Sequence, residues 1–236
     1  MISENEGELP ILSQLHHSPI ISDQRIAGGF ISDATGKQMG VRERVFDSPQ
    51  GEQRYVYKEV FNLKEARATM QIYYLLKQAG LPVVAFAKII RTYNESRYRH
   101  FKNELVIAME DLAQNGEFEL RELSGDPKVE VPFRLKENLI RALAIIHNND
   151  VCEFHPSLSL ALRIKDDHSG KREVVDFKVI DYANFKTKNE FPDGKFELDS
   201  TKKLHQLLQS IGSSDSEKSV LQEFYYRVLE SGEMHY

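Results

Sequence analysis

The chain has no tryptophan and only one cysteine, Cys152. A lone thiol excludes an internal disulfide and any zinc cluster built on cysteines. Long apolar runs are also missing. The most apolar window, LPVVAFAKII (81–90), is too short to span a bilayer and contains Lys88. The opening residues, MISENEGELPIL, have no basic start and no apolar stretch, so no secretory signal is expected. Positive charge is in deficit: 31 Lys and Arg stand against 36 Asp and Glu, a net charge of −5. Broad binding to a nucleic-acid backbone needs a basic surface and is disfavoured, although a local basic pocket is not. Repeats and low-complexity tracts are absent as well.

What is present suffices for a core. Over 236 residues, 41% are hydrophobic and 28% charged. That fits one domain or two small lobes of a folded intracellular protein, not a disordered chain. Residues 1–23 show no clear period and read as an extension. Their paired His16 and His17 have no partner at ligand spacing and read as solvated.

From Arg25 the pattern becomes strand-like. RIAGGFI carries Gly28 and Gly29, and QMGVRERVF (38–46) alternates. RYVYKEVF (54–61) puts Val56, Lys58 and Val60 on one face and Tyr55, Tyr57 and Glu59 on the other. A helix is predicted over 62–80, with Asn62 and Glu65 as a capping box and Gly80 and Pro82 as its stop. Its inward face is expected to hold Leu63, Ala66, Met70, Tyr73 and Lys77. Strands follow at 86–92 and 104–109, then a polar linker over 113–131. RLKENLIRALAIIHNN (134–149) is strongly amphipathic, with Leu135, Leu139, Leu143 and Ile146 on one stripe. A loop, DVCEFHPSL, leads to ALRIK and EVVDFKVID, which read as a hairpin ending at Asp181. Helices are predicted over 199–212 and 216–231, the last with Val220, Leu221, Phe224, Tyr225, Val228 and Leu229 inward.

Three strands, a helix, two strands, a linker, a long helix, a loop, a hairpin and more helices is an order that resembles the two-lobed protein-kinase fold. Tyr57-Lys58 sits where that family has the lysine of its third strand. ELVIAMEDL resembles the last N-lobe strand running into the hinge. IHNNDVCEFHPSLSLALRI is similar to the family's LHxxGIxHRDLKPxNILI, and FKVIDYANF to the strand before Asp-Phe-Gly. FELDSTKKLHQLL resembles the later helix that begins with a buried Asp, here Asp199. The resemblance spans residues 25–211. It implies an α+β architecture: an antiparallel-sheet N-lobe over 24–112 and a reduced helical C-lobe over 113–236.

In that family the strand lysine holds nucleotide phosphates and a helix glutamate orients it. The resemblance therefore makes Lys58 a phosphate contact. The glutamate's place falls near Thr69; Glu65 lies a turn earlier and is equally explained as a cap. Gly28 and Gly29 stand for the glycine-rich loop without its GxGxxG spacing, and Asp33 would repel phosphate there. Glu110 and Leu112 would border the base as hinge residues, and Asp181 would hold Mg²⁺ or Mn²⁺ beside ATP. The catalytic loop departs most. Glu153-Phe154-His155 replaces His-Arg-Asp, and Leu160 or Ala161 replaces the metal-binding Asn. Neither offers a side-chain oxygen to a hard cation. His155 is the one candidate base left, with an unperturbed pKa near neutrality. Tyr182 and Ala183 replace Phe and Gly, which restricts backbone flips.

Only 55 residues, 182–236, follow Asp181, too few for a full peptide-docking platform. This resembles the trimmed kinase-like domains of bacterial effectors and of small-molecule or lipopolysaccharide kinases, whose His-x-Asp loop is also missing here. The expectation is a pseudokinase that binds a protein partner and can bind a nucleotide, in the cytoplasm or in a host cytosol. The alternative is an active ATP-dependent phosphotransferase using Lys58, Asp181 and His155. A non-kinase binding domain is a third reading. The basic cluster RYRH (97–100) reads as a solvated hairpin tip, with an acidic partner as the alternative. Cys152 reads as a buried small residue.

Overall fold

The computed structural model describes residues 20–31, 38–48, 51–60, 63–85, 87–94, 102–112, 119–120, 129–153, 160–166 and 172–236. These residues form an α+β protein with four helices and small antiparallel and mixed sheets. No helix among them is long and apolar enough to cross a membrane. Two compact units result: the described residues up to Ala66 together with Ala85–Asp111, and Arg67–Val84 together with Leu112–Tyr236.

The first unit is built on β1 (Ile20–Ile31), β2 (Gln38–Ser48), β3 (Gly51–Glu59), β4 (Ala87–Asn94) and β5 (Lys102–Glu110). They form one sheet in the order β1-β2-β3-β5-β4, antiparallel throughout. The first strand starts earlier than its pattern suggests, at Ile20 and not Arg25. Its ladder to β2 (Ile20 opposite Phe46, Arg25 opposite Arg42) overrides the polar Ser22-Asp23-Gln24 run that hid it. Residues 20–23 therefore belong to a strand and not to an extension. On β3 the period of two holds, and the tyrosines mark the deeper face. Tyr55 and Tyr57 are buried, whereas Val56 and Lys58 are half-buried.

The body of α1 (Leu63–Gln78) belongs to the second unit. Met70, Tyr73 and Leu76 are buried one turn apart, with Thr69 and Ile72 beside them. The expected stripe fails at its ends: Leu63 and Lys77 are exposed. The helix stops where Gly80 takes φ +75°, its N–H donating to Lys77 O and that of Leu81 to Leu76 O. This paired closure satisfies carbonyls the helix would otherwise leave open.

Helix α2 (Phe133–Asn148) buries Leu135, Leu139, Leu143 and Ile146 as its period demands, and packs on α3 (Lys195–Ser210) and α4 (Asp215–Ser231). Ser214 and Glu217 form a capping box that opens α4. In α4, Leu221, Tyr225 and Val228 face inward, but Val220 does not; it is 52% exposed, since the 100° step to Leu221 carries it off the buried stripe. Tyr225 is buried and Tyr226 exposed.

The expected hairpin forms between β9 (Leu160–Asp166) and β10 (Arg172–Val179). The span read as a linker holds two short strands, β6 (Glu119–Leu120) and β7 (Val129–Glu130), which flank it in the order β6-β9-β10-β7. Part of the expected loop is also a strand. β8 (Val151–Glu153), wholly buried, pairs antiparallel with β11 (Phe185–Thr187). Three residues are too few for a sequence period to announce.

Candidate functional site

Lys58 sits in the interior of its sheet, opposite Val41 of β2 and Ile107 of β5. A central strand holds its side chain to one direction, because the ladders on both sides fix the register. Gly28 and Gly29 lie in β1 at a bulge: the pairing passes from Ala27–Val41 to Phe30–Met39, so two glycines face one residue of β2. They belong to the strand itself and not to a loop. Glu110 ends β5, and its Oε2 accepts the Ala85 N–H at 2.6 Å. Leu112 follows and is half-buried.

Glu65 lies in the first turn of α1, half-buried. Asn62, its expected capping partner, is outside the described residues. At the place the resemblance assigns to the orienting glutamate stands Thr69, buried and unable to supply a carboxylate.

The second unit places Asp181 two residues beyond β10, in the left-handed region (φ 57°, ψ 51°), opening a 3-10 turn over Tyr182–Asn184. A non-glycine residue in that conformation is costly, by about 1–2 kcal/mol, and persists only where its surroundings hold it. Two features hold it here. Asn184 Nδ2 donates to Asp181 Oδ2 at 2.8 Å. Tyr182, 1% exposed, uses its hydroxyl twice: it donates to Val179 O at 3.0 Å and accepts the Val84 N–H at 3.1 Å. Its ring packs on that of Tyr73 at 5.2 Å, and the Tyr73 hydroxyl donates to Val84 O. The 82–84 segment is itself stitched to β10, with Val179 N–H donating to Pro82 O at 2.7 Å. Tyr182 thus pins the turn that presents Asp181. The sequence shows only that Phe and Gly have been replaced. That a phenol would bridge two buried main-chain groups is a tertiary fact with no local signal.

The catalytic-loop positions divide. His155 lies outside the described residues, as do Asp33 and the 97–100 cluster. Glu153 ends β8 and is 2% exposed, in the core. Leu160 and Ala161 are buried in β9, opposite Val179 and Lys178 of β10. Neither side chain carries a donor atom for a cation. Asp199 does not start its helix but lies in the second turn of α3, half-buried, with Lys202 Nζ at 3.2 Å.

Among the described residues no group of three or more His, Cys, Asp or Glu side chains could hold a metal ion. Asp181 brings one carboxylate, toward which Asn184 turns its amide N–H. One carboxylate is too few for a stand-alone metal site. Cys152 is fully buried, and burial pushes its thiol up to about 11, the opposite of an activated nucleophile. No protein-family model matches the chain, and no curated protein matches it.

Proposed function

We propose that the chain is a kinase-like protein of reduced chemistry, a pseudokinase that acts by binding a protein partner and that retains an ATP contact. Lys58 would hold phosphates and Asp181, beside Asn184, would hold a nucleotide-borne Mg²⁺ or Mn²⁺. Glu110 and Leu112 would border the base. One observation carries the reduced part of this reading. The positions aligned with the metal-binding Asn, Leu160 and Ala161, are buried apolar members of β9. The retained part is supported by Lys58 on the middle strand of a five-stranded antiparallel sheet and by Asp181 on a pinned turn after the hairpin. A general base alone contributes about 10²–10⁴-fold, and most phosphoryl-transfer rate comes from metal-assisted positioning. With one metal-binding side chain missing, binding and not turnover is the expected activity.

The test pairs two assays. A melting titration with ATP, with and without Mg²⁺ or Mn²⁺, reports binding, since a ligand of the folded state raises the melting point. Labelled-ATP turnover reports chemistry. A melting shift lost in Lys58→Ala, with no turnover, supports the reading. Turnover abolished in both Asp181→Ala and His155→Ala would replace it with an active atypical phosphotransferase. Neither shift nor turnover would leave a scaffold without nucleotide.

A further inference from the structure

Beyond α4 the chain crosses the ends of two other helices of the second unit. Gly232 turns it out of α4 at φ +66°, its N–H donating to Leu229 O at 3.0 Å. Two asparagines at the end of α2 then address the main chain that follows. Asn148 Nδ2 donates to Glu233 O at 2.8 Å and to Val228 O at 3.1 Å, and Asn149 Nδ2 donates to Met234 O at 3.1 Å. Arg141, two turns before Asn148 on the same face of α2, pairs with the Glu233 carboxylate and lies over the Tyr236 ring, 5.7 Å from its centroid. Phe177 of β10 meets that ring edge-on at 6.5 Å. The Tyr236 N–H donates to Ala79 O at 2.7 Å, just past the end of α1.

A helix end leaves its last carbonyls open. Gly80 and Leu81 close those of Lys77 and Leu76, and the tail closes that of Ala79. This bond matters because, among the described residues, α1 has no extensive packing against α2, α3 or α4. The residues after it are tied to β10 and to the turn of Asp181. Val179 N–H donates to Pro82 O, Val83 bridges Val179 in parallel, and Val84 N–H donates to the Tyr182 hydroxyl. Tail, helix end, β10 and turn are thus one continuous run of contacts.

We propose that residues 233–236 are a strap, fastened to α2 by Arg141, Asn148 and Asn149, that holds the end of α1 and the 82–84 segment in register with β10 and so sets the turn that carries Asp181. Arg141 and Tyr236 are positioning residues for that turn. The holding of the helix end stands without the kinase-like reading; only the consequence for a nucleotide-borne metal rests on it.

The experiment is amide exchange on the full chain with substitutions at the strap. Tyr236→Pro removes the N–H that reaches Ala79, together with the ring. Exchange at Val84 and Val179 should quicken roughly tenfold or more, while Leu143 in α2 and Val228 in α4 keep the parent rate. Arg141→Met should give a smaller gain, about threefold, since its pair with Glu233 is partly exposed. Tyr236→Phe keeps ring and N–H and should match the parent. Unchanged rates at Val84 and Val179, or equal quickening across α2 and α4, overturn the strap. Should Tyr236→Pro not fold, Tyr236→Ala, read in the same way, decides. Titration with ATP then tests the turn. In Tyr236→Pro the gain in affinity from Mg²⁺ should fall roughly threefold or more, with metal-free binding unchanged. A full gain despite quickened exchange would refute the setting of Asp181 by the strap. A parent that binds no ATP would overturn the nucleotide reading instead, and the exchange rates at Val84, Val179 and Asn184 would decide the strap alone.

Discussion

Mild acid should destabilise this protein through His147 before its carboxylates titrate. The ring is buried at the end of α2, with Nδ1 at 2.5 Å from the Tyr225 hydroxyl and Nε2 with no hydrogen-bond partner. Burial, with the Lys203 charge as a smaller cause, lowers its pKa from 6.5 to about 3. A second N–H on the ring would have no acceptor, so the neutral form is the one the core accepts. The folded-state pKa lies below the unfolded one, so the unfolded chain takes up the proton first. Stability is intact above ~6.5 and falls steadily until ~3, where both states are protonated. Between pH 7 and pH 5 the loss is about 1.4 pH units at ~1.36 kcal/mol each, or about 2 kcal/mol. Ordinary carboxylates, with pKa near ~4, contribute little in that window. Urea unfolding followed by circular dichroism at the two pH values measures it, which suits a chain without tryptophan. In the His147→Phe/Tyr225→Phe variant, which leaves no stranded hydroxyl, the difference should shrink to a few tenths of a kcal/mol. An equal pH dependence in parent and variant, or none in the parent, would refute the assignment.

Three further outcomes follow from the same geometry. Tyr182→Phe strands the Val84 N–H and the Val179 carbonyl and should cost about 1–3 kcal/mol; a loss below ~0.5 kcal/mol would show that the phenol does not pin the turn. Ser214→Ala breaks the capping box of α4 and should cost about 1 kcal/mol, measurable by the same unfolding titration, while exposed Ser219→Ala should cost little. Cys152 keeps its proton in the folded state to about 11 against 9.0 unfolded, so stability is lost as pH rises above ~9; Cys152→Ala should flatten that part of the profile, and an unaltered slope would assign the alkaline loss elsewhere.

Long elements were legible because burial writes a period into them. The stripes of 134–149 and 199–212 are readable as helices, and Leu204, Leu207, Leu208 and Ile211 are buried as their spacing demands. The alternation in 54–61 likewise placed Lys58 on a strand. Features made by tertiary pairing left little trace. β1 begins in a polar run because β2 supplies its ladder, and β8 is too short to carry a period. The left-handed Asp181 has no glycine to betray it; the Tyr182 hydroxyl bridge and the Asn184 amide hold it instead. Of the candidate site, Lys58 and Asp181 could be picked out by order along the chain.

The central proposal stands or falls on nucleotide held by two named side chains. Calorimetric titration of the parent protein with ATP, with and without Mg²⁺, should show one site that tightens with the metal. Lys58→Ala should weaken it at least tenfold in either condition, as loss of a charge-assisted phosphate contact requires. Asp181→Asn should remove the gain from Mg²⁺ while leaving metal-free binding in place. Parent protein that takes up no ATP, or takes it up equally well in both variants, would contradict the assignment of Lys58 and Asp181 to a nucleotide site.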